Sequence, residues 1–245
     1  DEKGTEENKG QWAMIFNESV KNDSNPVDKT EKFMFDGERL IQHIIKQRYF
    51  EEEISNEVNL SYSDNQVTVT TDYLTLVYTL NSEGYASQCV YSLSSQNRIY
   101  QFSYSAEGYL TGIVENIDNT EYSSTSLTYE NGDITSISSK MNGLENKFIY
   151  EPGEESSTYH LPCLGLLEIH PLTFHIEALY AGLLGKDPRH FTIRSCPAGS
   201  NDEKTIYSYE FDKKGNPSRM ICQTTYAGGQ ASYYPYTRNI SVSFE

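Results

Sequence analysis

Along Tyr100-Gln101-Phe102-Ser103-Tyr104 aromatic and polar residues alternate, so the three rings share one face of a strand. Ser105 to Gly108 then supplies a turn, and Leu110 and Ile113 begin a return arm. The same hairpin recurs. Phe33 to Leu40 turns at Asp36-Gly37, Leu60 and Tyr62 turn into Val67 and Val69, and Leu74 to Leu80 turns at Asn81 to Gly84. Gly84, Gly108 and Gly132 stand 24 residues apart, each after an alternating run: Leu76-x-Tyr78, Phe102-x-Tyr104, Leu127-x-Tyr129. Phe148-x-Tyr150 followed by Pro152-Gly153, and Tyr207-x-Tyr209-x-Phe211 followed by Asp212 to Gly215, continue the series. A unit repeated at a fixed period pairs with its neighbours and cannot bury its face alone.

Two details refine this pattern. Ile41, Ile44, Ile45 and Arg48 fit a helical stripe, but their place directly after a turn favours a return strand. Leu110 and Ile113, like Ile134 and Ile137, are three apart, which a flat strand would put on opposite faces. Either both faces are partly covered or a bulge corrects the phase, and bulges curve a sheet toward closure.

The one break in the hairpins is Leu161 to Gly185. Pro171 suits the first turn of a helix and Gly185 its stop, with Pro188 beyond. Leu172, Ile176, Leu179 and Leu183 form one apolar face, and Phe174, Ala178, Ala181 and Leu184 cover much of the rest. Such a helix, about 21 Å long, should be buried against the concave side of the sheet as a plug or cap. The expected fold is therefore mainly all-β: an antiparallel meander of serial hairpins curled into a partly open barrel, with one buried helix at 171–185. Residues 1–10 read as a polar tether and 11–245 as one domain, with a helical insertion at 161–188.

Composition adds three constraints. Tyrosine is abundant, at 20 residues with 10 Phe, as a half-buried pleated surface favours. The net charge of −16 repels phosphate backbones, which argues against nucleic acid. Cys89, Cys163, Cys196 and Cys222 allow two disulfides or none. If the protein is exported, Cys163 and Cys196 are the best pair, because they flank the buried segment. No apolar run reaches the length of a membrane helix.

The hairpin unit resembles the tyrosine–aspartate repeats of secreted bacterial shell proteins, nearest at Tyr207-Ser208-Tyr209-Glu210-Phe211-Asp212-Lys213-Lys214-Gly215-Asn216-Pro217. The serial hairpins, the late apolar segment and Ala181-Gly182-Leu183-Leu184-Gly185-Lys186 are similar, over residues 33–245, to a Bacteroidetes family of exported domains of unknown function with a porin-like, partly open β-barrel. That resemblance implies a lipoprotein-type route to the periplasm or outer cell surface, an acidic tether, no cofactor and no assigned catalytic residue. The strands are too rich in Ser, Thr and charge for the apolar band of a membrane barrel.

Candidate chemistry is sparse. His170 and His175 are five apart, about 140° around a helix, so they share no face, and no metal site is expected. There is no Gly-x-Ser-x-Gly elbow, and Glu51-Glu52-Glu53 and Glu154-Glu155 read as solvated runs. Aromatics near turns stand out: Tyr85 and Tyr109 follow turn glycines, and Tyr233, Tyr234 and Tyr236 follow Gly228-Gly229. Exposed rings there could stack on a glycan or anchor a protein partner, against the plainer reading that they pack locally. The expected function is a non-enzymatic binding or scaffold module outside the cytoplasm. The alternative is a hydrolase with two carboxylates about 5 to 10 Å apart in the barrel mouth.

Overall fold

The structure is a computed structural model that describes residues 10–20, 27–49, 52–93, 96–200, 202–225 and 236–245. Among them are sixteen strands: β1 Gln11–Val20, β2 Val27–Asp36, β3 Arg39–Tyr49, β4 Glu52–Ser63, β5 Gln66–Thr70, β6 Thr75–Leu80, β7 Ala86–Leu93 and β8 Gln96–Tyr104. The second half runs β9 Leu110–Ile117, β10 Thr120–Glu130, β11 Asp133–Met141, β12 Leu144–Ser156, β13 His190–Pro197, β14 Lys204–Phe211, β15 Pro217–Thr225 and β16 Tyr236–Phe244. Each pairs antiparallel with its sequence neighbour, and β1 pairs with β16 from Met14↔Phe244 to Ser19↔Asn239. The barrel is therefore closed, not partly open as expected, and has no free edge.

Closure is helped by the bulges that the three-residue spacings require. The ladder shifts register at Met34/Phe35, Thr79/Leu80, Ser103/Tyr104, Thr128/Tyr129 and Glu210/Phe211, each beside a turn at the same end of the barrel. As a result Leu110 and Ile113, and Ile134 and Ile137, are all buried. Leu40 and His43, Ala86 and Cys89, and Pro217 and Met220 repeat the device. The ambiguous stretch after Gly37 is β3, as its position after a turn predicts. Pro152-Gly153 is not a turn. β12 runs on to Ser156 and absorbs the pair as an irregularity against β13.

The wall is apolar inside and polar outside. In β4, Val58 and Leu60 are buried while Glu57, Asn59 and Ser61 are exposed. In β16, Ile240 and Val242 are buried while Ser241 and Ser243 are exposed. The core fills the lumen and includes Met14, Phe33, Leu40, Tyr78, Tyr100, Ile113 and Ile137.

The chain leaves β12 at one end, hereafter the plug end, packs residues 157–189 into the lumen and returns as β13. The helix expected at 171–185 is two short pieces, a 3-10 turn Leu172–Phe174 and α2 Ile176–Tyr180, and a further short helix, α1 Leu164–Leu167, precedes it. The segment is buried as expected at Leu172, Ala178, Tyr180, Leu183 and Leu184, while Phe174, Ile176, Leu179 and Ala181 are half-buried. Its stop comes at Gly182 and not at Gly185. The Gly182 amide donates to Leu179 O at 3.0 Å and the Leu183 amide to Ala178 O at 2.9 Å, which is a Schellman cap. Gly182 sits at φ +70°, and a Cβ there would lie 2.9 Å from the His160 ring. Beyond it the plug is sewn to the wall: Ala86 N donates to Leu183 O, Lys186 N to Gly108 O and Arg189 N to Gly132 O.

All four cysteines are free and buried, so the expected Cys163–Cys196 bond is absent. Cys163 lies inside, beside Tyr207. Ser195 bonds the inward Tyr207, so the next residue, Cys196, points to the other face of β13 and the wall separates the two thiols.

The plug fills the lumen mainly through residues such as Leu172, which is 1% exposed. Leu172→Ala should cost about 2–5 kcal/mol in chemical denaturation. Leu144→Ala, at an exposed turn, should change stability by less than about 0.5 kcal/mol. Equal effects at the two sites would contradict a packed plug.

Candidate functional site

Polar chemistry is concentrated where the plug meets the wall. His43 on β3 is fully buried, with Nδ1 2.7 Å from Glu177 on α2 and Nε2 3.3 Å from Glu31 on β2. Its ring stacks on Phe33 at 4.0 Å, and Phe33 stacks on Tyr180 at 4.0 Å. Burial disfavours an imidazolium here, but the bonds and charges of Glu177 and Glu31 outweigh it, so the pKa of His43 is raised. Glu31 is lowered: burial opposes its charge, and His43 and Lys29 overcome that.

A second fastening centres on Glu115 of β9, which is fully buried. It accepts from Ser123 Oγ at 2.7 Å, pairs closely with His170 Nε2 of the plug and lies 3.3 Å from Arg98. Burial raises its pKa, but His170, Ser123 and Arg98 together hold it below the usual range. The Arg98 guanidinium lies over the rings of Tyr91, Tyr122 and Phe174. Arg238 of β16 grips Glu18 of β1 with two nitrogens, at 2.5 and 2.9 Å, and reaches Glu168 after α1 at 3.1 Å.

His175 behaves oppositely. Burial among Tyr78, Tyr100 and Phe102 lowers its pKa to about 3, so it is neutral, and its Nδ1 shares a hydrogen bond with Tyr78 Oη at 2.8 Å. His160 pairs with Asp187 at 2.5 Å, and His190 with Asp133 at 2.9 Å. Among the described residues no cluster of three His, Cys, Asp or Glu groups could hold a metal.

Two cavities open at opposite ends. The plug-end pocket, about 450 Å³, is lined by Trp12, Phe35, Gly37, Glu38, Tyr159 and His160. Trp12 stacks on Phe35 at 4.2 Å and 7°, and its Nε1–H donates to Gly37 O at 2.8 Å. Tyr159 tilts against it at 5.9 Å and packs on Phe244. The far-end cavity, about 420 Å³, lies beneath α1 and includes Phe148, Tyr150, Glu168, His170, Ser195 and Tyr207. Neither is lined by two carboxylates among the described residues. The buried thiols are poor nucleophiles: burial pushes Cys89 and Cys222 up to about 12 and also raises Cys163.

The aromatic residues picked out by sequence do not converge. Tyr85 and Tyr109 sit half-buried on the plug-end rim, each over the next hairpin. Tyr85 packs on Tyr104 at 5.4 Å and Tyr109 on Tyr129 at 4.9 Å. A Cβ at Gly132 would lie 2.7 Å from the Tyr109 hydroxyl, so the 24-residue spacing lets one tip seat on another. Tyr233 and Tyr234 lie outside the described residues, and Tyr236 begins β16 with its side chain outside them. Sequence reasoning missed the plug-end pocket. Trp12 is the single tryptophan and shares a strand face with Met14 and Phe16, but Phe35, Glu38 and Tyr159 reach it from separate segments that no spacing connects.

Residues 33–219 match the family described as a domain of unknown function (DUF4595) with porin-like fold. The chain belongs to this family. Two solved structures share the fold of this DUF4595 domain. A porin-like protein from Bacteroides uniformis has TM-score 0.86 and 26% identity over 95% of this chain and 96% of that one. A porin-like protein from Bacteroides vulgatus has TM-score 0.56 and 13% identity over 94% and 97%. No curated protein matches the chain. The resemblance to a Bacteroidetes porin-like family is thus borne out, with closure of the barrel as the difference.

The Glu31–His43–Glu177 contact has a testable sign. A raised folded-state pKa means that the stabilisation is complete below the ordinary value of 6.5 and is lost as pH rises through the folded value. Wild-type stability should therefore fall over that window, and His43→Gln should reduce the slope, leaving the smaller share of the half-exposed His160, whose pKa Asp187 also raises. A variant with the wild-type slope would contradict the assignment.

Proposed function

We propose that the domain is a non-enzymatic binding module that holds an uncharged saccharide in the plug-end pocket. The observation that carries this is Trp12: its ring is fixed by the Phe35 stack and the Gly37 hydrogen bond, and it lines an open pocket with Tyr159, Glu38 and His160. A pyranose offers an apolar face to aromatic rings and hydroxyls to a carboxylate and an imidazole. The net charge of −16 disfavours anionic sugars. The hydrolase alternative has less support, because each barrel-end cavity is lined by one carboxylate.

The same reading takes the domain to act outside the cytoplasm, on a lipid anchor and not inserted in a membrane. The porin-like relatives support export. The polar outward wall argues against insertion, because a membrane barrel presents an apolar band about 25 Å tall to lipid. Residues 10–245 should stay in the dense fraction when floated with phospholipid vesicles, and co-flotation would contradict this part of the reading.

Trp12 is the single tryptophan, so its emission reports on the site alone. A neutral glycan selected on an array should shift that emission in titration. Calorimetry should show at least tenfold weaker binding for Trp12→Ala, and weaker binding for Tyr159→Ala, which alters a ring 38% exposed. An array without hits, or a hit whose affinity survives both substitutions, would overturn the saccharide reading.

A further inference from the structure

We infer that the edge of β4 beyond the end of β5 is a docking site for an extended basic segment of a partner protein, which adds to it as a further strand. The site lies on the β3–β4 hairpin at the far end of the barrel and shares no residue with the plug-end pocket.

Closure pairs each strand with two neighbours, but the strands are unequal in length. β4 pairs with β3 from Gln42↔Asn59 to Tyr49↔Glu52. Against β5 it pairs only from Asn59↔Thr70 to Ser63↔Gln66. After Thr70 the chain turns back, with Thr71 N donating to Leu74 O, and β6 begins at Thr75. Residues 52–58 therefore run past their neighbour for about 20 Å. Backbone groups point alternately to the two sides of a strand. The Asn59 carbonyl faces β5, where it accepts from Thr70 Oγ1 at 3.4 Å. The N–H and C=O groups of Glu53, Ser55 and Glu57 face the same way. None of these groups has a backbone partner among the described residues. Such a row is a template for one more strand.

Side chains select the occupant. Glu52 to Glu57 are all exposed. Glu53 and Glu57 stand on the outer face. Arg48 of β3 is 3.5 Å from Glu53, Gln42 of β3 donates to Glu57 at 2.5 Å, and Asn59 donates to Glu57 at 3.4 Å. Only one of these partners is a cation, and it approaches from the β3 side, away from the unpaired edge. A second copy of the chain is disfavoured. The antiparallel register that engages Glu53, Ser55 and Glu57 of both copies sets each Glu53 opposite a Glu57, and like charges directly opposite destabilise a pair. Basic residues in those two places stabilise it, and the net charge of −16 draws a cationic segment to the domain. Ile54, on the other face and 48% exposed, offers an apolar contact. An antiparallel partner therefore carries two basic residues four apart, with an apolar residue just before the second.

The test is NMR on residues 10–245 at low salt with the capped peptide Arg-Thr-Thr-Val-Arg-Lys. Binding should slow amide exchange at Glu53, Ser55 and Glu57 at least about fivefold. The peptide N-methylated at both arginines and at the second threonine keeps its charge but cannot donate to β4, and it should not bind. Glu53→Gln with Glu57→Gln should weaken binding at least about fivefold. Ser55→Pro removes an N–H that faces the unpaired side, so it should melt with the wild type and lose the peptide. Absence of protection at the three amides would overturn the inference. Equal binding of the N-methylated peptide, or of Glu-Thr-Thr-Val-Glu-Glu, would overturn it as well. A dimer in sedimentation that Ser55→Pro abolishes would assign the edge to a second copy and overturn the basic partner.

Discussion

An antiparallel barrel of sixteen strands is too wide for its own wall side chains to fill. Eight strands leave roughly enough room for the interior side chains, and sixteen to eighteen leave a channel. In a membrane porin that channel is polar and wet. Here the wall turns Phe16, Phe33, Tyr78, Phe102, Ile113 and Ile137 inward, so an open channel would expose a broad apolar surface to water. The chain resolves this with its own residues 157–189. Leucines 166, 172, 183 and 184 each gain about 1.5–3 kcal/mol from burial. Wall and plug therefore depend on one another. The apolar inner face and polar outer face are the reverse of a membrane porin's.

Apolar packing alone would hold the plug loosely, since many arrangements of leucine side chains bury similar areas. The ionic contacts select one. Glu177 on α2 meets His43 of the wall, His170 meets Glu115, and Glu168 meets Arg238. These fastenings fall around the circumference, on β3, β9 and β16, so the plug is fixed at several points. Glu168 is 70% exposed, so its contact with Arg238 is a weak, solvent-screened one; buried pairs often add little net stability compared with apolar residues, but breaking one partner leaves an uncompensated charge. Their contribution here is to the orientation of the plug. That orientation creates the two cavities, because α1 roofs one and Tyr159-His160 borders the other.

Much of the wall was legible in the sequence, because alternation and turn glycines are local signals. The three-residue steps at Leu110/Ile113 and Ile134/Ile137 even indicated bulges. The plug was legible as a buried apolar segment but not in its detailed shape. Pro171 and Gly185 suggested helix ends, whereas the chain stops α2 at Gly182, whose Schellman cap and contact with His160 are tertiary facts. Closure could not be read either. It depends on β1 meeting β16, and no local pattern reports a pairing between the first and last strands. The histidines were legible only as scattered residues, because Glu177, which meets His43, and Glu115, which meets His170, lie 134 and 55 residues away. The pocket around Trp12 shares that character.

The mutual dependence of wall and plug is tested most directly by replacing residues 158–188 with a short Gly-Ser linker and following unfolding by circular dichroism and dye binding. The account predicts a chain that binds a hydrophobic dye strongly and loses its single cooperative transition, since the lumen is left wet and apolar. A linker chain that keeps the native strand signal, a sharp transition and low dye binding would show that the wall closes without the plug, and would contradict the account.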